Sequence, residues 1–219
     1  MKNLKKSDQM PKKEDLNYDL EDGKFLVSLA RKSILNYLTF NKMIPIPENT
    51  PKKLKENAGV FVTLNSKDKK GEEELRGCIG FPLPIYPLVR ATIEAAKSAA
   101  VNDWRFSQVT VEEMKNIVVE VTILTPPKLI EVKKFDEYLE KIVIGRDGLI
   151  AKNGGMSGLL LPQVPIEWHW NVREFLEHTC NKAGLNKDCW KNPNTEIHSF
   201  QGLIYKEKEP NGEIIPEKL

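Results

Sequence analysis

Hydrophobic positions in the first third of the chain follow a helical period. Phe25, Leu26, Leu29, Ala30, Ile34, Tyr37 and Leu38 recur every three or four residues and predict a helix with one apolar face, starting near Asp19. Pro45, Pro47 and Pro51 mark a loop after it. Residues 60–64 (VFVTL) predict a strand, the polar stretch 65–74 a long turn, and residues 75–81 the returning strand of a hairpin. Pro82, Pro84 and Pro87 end that strand. Residues 88–101 then predict an alanine-rich helix, slim enough to pack closely on a sheet. Thr110 and Glu113 have capping-box spacing and predict a short helix. Residues 117–124 (IVVEVTIL) predict a buried strand that stops at Thr125-Pro126-Pro127.

The second half repeats this order. Residues 141–145 and 149–152 predict short strands around an Asp147-Gly148 hairpin turn. Asn153-Gly154-Gly155 predicts another turn, 158–161 a strand, 167–183 a helix capped by Gly184, and 197–205 the last strand. Two halves of like order suggest an internal duplication. Residues 1–18 are lysine-rich with little apolar surface to offset ordering entropy, and predict a mobile tail. Residues after 207 predict a polar C-terminal tail, which leaves residues 19–207 as the folded domain.

Charge narrows the function classes. The 219 residues carry 33 basic and 31 acidic side chains. Residues 1–18 hold five lysines against three acidic groups, so the remainder is neutral. A neutral body argues against a dedicated nucleic-acid binder. The apolar runs are far shorter than the ~20 residues that span a bilayer, and no apolar core follows the N-terminal lysines as in a secretion signal. Cys78, Cys180 and Cys189 are few and odd in number, which points away from a disulfide framework and toward a cytoplasmic location.

The chain has no phosphate-loop or dinucleotide-turn pattern, and Leu159 stands where a nucleophile elbow around Ser157 needs glycine. His169, His178, Cys180 and Cys189 lack closed zinc-site spacing, so no metal or cofactor is expected. The segment 75–80 is more informative. On a regular strand Arg76 and Cys78 share a face, where the guanidinium favours the thiolate. Gly77 and Gly80 free the space beside them for a ligand or another backbone. Asp103 and Arg105 offer a charged pair near the end of the alanine-rich helix, with Asp103 also able to hold Arg76. Gln163 offers a donor and an acceptor before a helix. Cys78 and Arg76 are therefore the candidate catalytic residues, and Gly77, Gly80, Asp103, Arg105 and Gln163 the candidate substrate-binding residues. The plainer alternative is a small buried cysteine in a glycine-marked sheet bend, beside a structural loop clamp.

Residues 75–80, L-R-G-C-I-G, resemble the hallmark of the AMMECR-domain family. The likeness continues through 102–106 (N-D-W-R-F), 120–127, Gly148-Leu149, 161–164 (L-P-Q-V), Trp170, Phe175-Leu176, Cys180, 182–185 and Trp190. It covers about residues 20–207. Trp104 stands where the family's D-P-R-F element has proline. The resemblance implies an α+β fold of two unequal lobes, mostly antiparallel sheet with flanking helices, and a cleft near the hallmark. It implies no assigned activity. It also implies association with a Memo-type protein and a radical S-adenosylmethionine protein. Two functions follow: an enzyme or enzyme component working at Arg76 and Cys78, or a non-catalytic interaction or regulatory module using the same cleft.

Overall fold

The computed structural model describes residues 18–217. The expected N-terminal tail lies outside the described residues, apart from Tyr18. Helix α1 (Leu20–Phe40) begins where Asp19 and Asp22 each accept the other's backbone N–H, and ends at Asn41 in the left-handed region. Strands β1 (Gly59–Lys67) and β2 (Glu73–Phe81) form the expected hairpin, with more of the polar stretch paired than its composition suggests. Helix α2 (Leu88–Val101) and strand β3 (Ile117–Leu124) follow at their predicted bounds. Thr110 and Glu113 make both capping-box bonds, but only a single 3₁₀ turn grows from them. The remaining helices and strands are β4 (Lys128–Leu129), α3 (Tyr138–Lys141), β5 (Gly148–Asn153), β6 (Met156–Leu160), α4 (Val164–Glu167), α5 (Val172–Lys182), β7 (Glu196–Phe200), β8 (Gly202–Glu207) and β9 (Ile214–Glu217), with a 3₁₀ turn at Cys189–Lys191 after α5.

Two antiparallel sheets result, in the orders β2-β1-β3-β8-β9 and β4-β7-β5-β6. Val60, Val62, Leu64, Val119, Val121 and Ile123 turn one face of the first sheet onto α1 and α2. Leu149, Ala151 and Ile197 turn one face of the second onto Phe175, Leu176 and Cys180 of α5. Phe61 and Leu124 of the first lobe meet Ile150, Leu159 and Phe200 of the second in a small separate cluster that joins the lobes. The fold is α+β, and it repeats itself. In β1-β2-α2-β3 the first strand pairs with both others; in β5-β6-α5-β7 it does so again. Each helix closes on a glycine. A Cβ at Gly77 of β2 would lie 2.2 Å from the Ala99 carbonyl oxygen of α2, and one at Gly158 of β6 would lie 2.2 Å from the Ala183 nitrogen just past α5.

Several expectations are corrected. Residues 141–145 are not a strand: α3 ends there, and Asp147 accepts the Val143 N–H while the Val143 carbonyl accepts from Arg146 and Asp147. The helix expected over 167–183 is broken in two. His169 is left-handed, and Asn171 restarts the chain with a capping box to Glu174. The strand expected over 197–205 divides at Gln201, with β7 in one sheet and β8 in the other. The C-terminal segment expected to be a polar tail returns as β9, paired along β8 from Ile214 to Glu217. Cys180 and Cys189 form a disulfide with Cα atoms 5.8 Å apart, against the expectation from cysteine count.

Candidate functional site

Residues 75–80 lie on β2, an edge strand packed against α2. The β1–β2 register shifts between Leu64 and Asn65, which leaves Arg76 with no residue opposite it. Alternation fails at that bulge, so Arg76 and Cys78 do not act together as a regular strand would have them. The Arg76 guanidinium donates to Glu113 Oε1 at 3.0 Å and to the Ser107 carbonyl at 2.8 Å. Cys78, the free cysteine, sits with its Sγ 3.1 Å from Thr63 Oγ1. Burial pushes its thiol up, only partly offset by the Thr63 contact. The thiolate-favouring arginine expected from the sequence is engaged elsewhere.

Asp103 and Arg105 hold the backbone of Cys78. Asp103 Oδ2 accepts the Cys78 N–H at 2.8 Å, and Arg105 Nη2 donates to the Cys78 carbonyl at 3.4 Å. The pair thus satisfies the outer edge of β2 as a neighbouring strand would. Arg105 also donates twice to Asp103, at 2.9 and 2.7 Å, and chiefly through these bonds holds the Asp103 carboxyl down at about 2. Asp103 does not pair with Arg76. Phe106 lies beneath both guanidinium groups, 6.0 Å from that of Arg76 and 5.3 Å from that of Arg105. Trp104 projects with 90% of its surface exposed. Gly77 and Gly80 serve close backbone approach: a Cβ at Gly80 would fall 2.3 Å from the Val60 carbonyl oxygen. Gln163 opens α4, and its backbone carbonyl accepts from Ile166 and Glu167.

The residues that do gather beside Cys78 include some with no motif to announce them. Register places Cys78, Thr63, Glu120 and Lys206 in one row across β2, β1, β3 and β8, on the face turned away from α1 and α2. Glu120 is largely buried there. Desolvation, reinforced by Glu217, pushes its carboxyl up to about 7 despite Lys206. Thr122 donates to it at 3.4 Å. Lys206 bridges Glu217 at 2.9 Å and Glu73 at 3.5 Å. Sequence inspection passes over Glu120 because it is one polar letter inside a strand of β-branched residues. That interruption of IVVEVTIL was the available signal. The three histidines stay apart from Cys78: His178 stacks on Trp170, His198 lies 3.6 Å from Glu196, and His169 sits in the turn between α4 and α5.

A protein-family model described as AMMECR1 matches residues 27–205. The chain belongs to the AMMECR1 family. Protein PYRAB00100 of Pyrococcus abyssi is 56% identical over 199 residues, which cover 91% of this chain and 97% of the relative. Protein MJ0810 of Methanocaldococcus jannaschii is 53% identical over 200 residues, covering 91% and 97%. The crystal structure of PH0010 from Pyrococcus horikoshii matches with a TM-score of 0.80 at 54% identity, over 90% of this chain and 97% of that one. The AMMECR1 match thus spans both lobes, residues 75–80 and Glu120. No helix among the described residues is long and apolar enough to cross a membrane.

Proposed function

We propose that this AMMECR1-family chain is an enzyme or enzyme component whose site is the Cys78–Thr63–Glu120 row, with Glu120 transferring protons. One observation carries the reading. In the repeated unit the matching row on β6, β5 and β7 is Leu159, Ile150 and His198, and the first two pack the lobes together. The first lobe spends the same positions on a thiol, a hydroxyl and a mostly buried acid held near neutrality, a costly choice that packing does not require. An acid near neutrality suits general acid–base catalysis. Cys78 enters this site as a neutral thiol beside Thr63, whose proton must be removed before it attacks. Arg76, Asp103 and Arg105 are positioning residues that fix β2, with Gly77 and Gly80 admitting the backbone contacts. Gln163 acts at one remove, by starting α4.

The test is turnover of a small-molecule extract followed by mass spectrometry. Wild type depletes at least one metabolite, Glu120→Gln slows that depletion by roughly 10²-fold or more, and Lys115→Ala at the surface leaves it unchanged. Equal depletion by wild type and Glu120→Gln overturns the reading.

Trp104 favours a second reading, a protein-interaction module, because so large an exposed indole beside a fixed loop suits a partner surface. The partners to try are the Memo-type and radical S-adenosylmethionine proteins that the family resemblance suggests. Purified partner retained by wild-type bait and lost with Trp104→Ser supports this module. Equal retention by both removes Trp104 from it.

A further inference from the structure

Between the lobes lies a cavity of about 560 Å³, within the size range of small-molecule sites. The turn before β5 supplies Ile144, Gly145 and Arg146 to its wall, α4 supplies Ile166, and the other side is built from residues 201–205 with Pro216 and Glu217. None of the candidate residues around Cys78 lines it.

Its lining carries one charge of each sign, Arg146 and Glu217. Arg146 is fixed by the buried Asp147, to which Nε and Nη2 donate at 2.9 and 2.5 Å. Asp147 is itself held by the Val143 N–H and by Gln201 Nε2 at 3.3 Å. Arg146 Nη2 also reaches the Lys141 carbonyl, whereas Nη1 makes no hydrogen bond among the described residues. An arginine held this way presents oriented donors at no further ordering cost. Glu217 supplies the carboxylate of the lining, and Lys206, which lies outside the lining, is shared between it and Glu73. Glu217 Oε2 and Gln201 Oε1 remain as acceptors. Ile144, Ile166 and Pro216 add apolar surface, and Ile166 stays 45% exposed.

We propose that this cavity binds a zwitterion of about dipeptide size, its carboxylate on Arg146, its ammonium on Glu217 and its apolar body against Ile144 and Ile166. Glu217 also faces the Glu120 carboxyl and helps to push it up, but binding in the cavity does not require Glu120 to transfer a proton.

Leucyl-leucine, its N-acetyl derivative and its C-terminal amide are titrated into the full chain, followed by calorimetry and by amide chemical shifts. The free dipeptide saturates the protein, with shifts at Gly145, Ile166 and Gln201. Each capped form binds at least about tenfold more weakly, the loss of one charge-assisted contact. Glu217→Gln abolishes the preference over the acetyl form. Ile166→Trp, which fills the cavity from an exposed position, abolishes binding while thermal melting reports that the fold is kept. Absence of saturable binding overturns the proposal. So do equal affinities for the three probes, or shifts confined to another part of the surface. Glu120→Gln leaves dipeptide binding intact, which separates a failure here from a failure of the proton-transfer reading.

Discussion

At the scale of single residues, Glu120 carries a consequence measurable without knowing a substrate. Burial raises its carboxyl from 4.5 to about 7, so the folded protein holds that proton more tightly than the unfolded chain. Its effect on stability is therefore most favourable below pH 4.5, declines as pH rises from there toward 7, and changes no further above that. The decline amounts to up to about 3 kcal/mol. Glu120→Gln removes it, because the amide has no proton to lose. Urea unfolding at pH 5 and pH 8 checks this: the wild type loses more stability across the interval than the variant. Parallel losses would mean that Glu120 titrates as an ordinary surface acid. Asp103 has the opposite sign, since its folded carboxyl is held below the unfolded one and its contribution disappears as pH falls from 3.8 toward 2. The two acids near Cys78 thus respond to pH in different windows.

Among elements, the seam between α1 and the first sheet rests on an ion pair. Arg31 donates to both oxygens of Glu207 on β8, at 2.5 and 2.6 Å, and to the carbonyls of Met114 and Ile117; Glu207 in turn accepts the Val119 N–H. Arg31 is 6% exposed and Glu207 2%, so neither charge has water to fall back on. Arg31→Met leaves an uncompensated buried carboxylate and costs roughly 3–5 kcal/mol, and adding Glu207→Gln to that variant restores more than half of the loss. Denaturant midpoints of the two variants decide it; no recovery in the double variant would mean that Arg31 acts through packing alone. Elements such as α2 and β3 were legible because their signals are local: an alanine-rich run bounded by proline, and a β-branched run stopped by Pro126-Pro127. What was illegible depends on distant partners. The bulge at Arg76 is set by pairing with β1, the transfer at Gln201 by which sheet has a free edge, and the break at His169 by the capping box that restarts α5. For the site, Cys78 and its clamp residues could be read from the sequence, but their roles depended on the bulge, and Glu120 was visible only as an interruption.

Over the whole molecule, the repeated units have diverged in how they are secured. The first lobe has the larger apolar core, from α1 and α2 against five strands, with the Arg31–Glu207 pair beneath it. The second gathers a smaller core around Trp190, Phe175 and Leu176 and adds the Cys180–Cys189 bond between α5 and the following 3₁₀ turn. A small core that gains a covalent tie follows the rule for limited apolar burial. Cysteine count misled because two cysteines, nine residues apart, become neighbours only after the chain turns at Gly184. Since the bond closes a short loop, its reduction costs roughly 2–3 kcal/mol. That cost belongs to the second lobe, because the cluster around Phe61 is the small apolar joint through which the lobes meet. Hydrogen exchange with and without dithiothreitol measures its reach. Amides of α5, β5 and β7 exchange faster on reduction, while those of β1 and β3 keep their protection. Uniform acceleration through both sheets would instead mean that the lobes unfold as one unit, and that the Phe61 joint transmits what the disulfide secures.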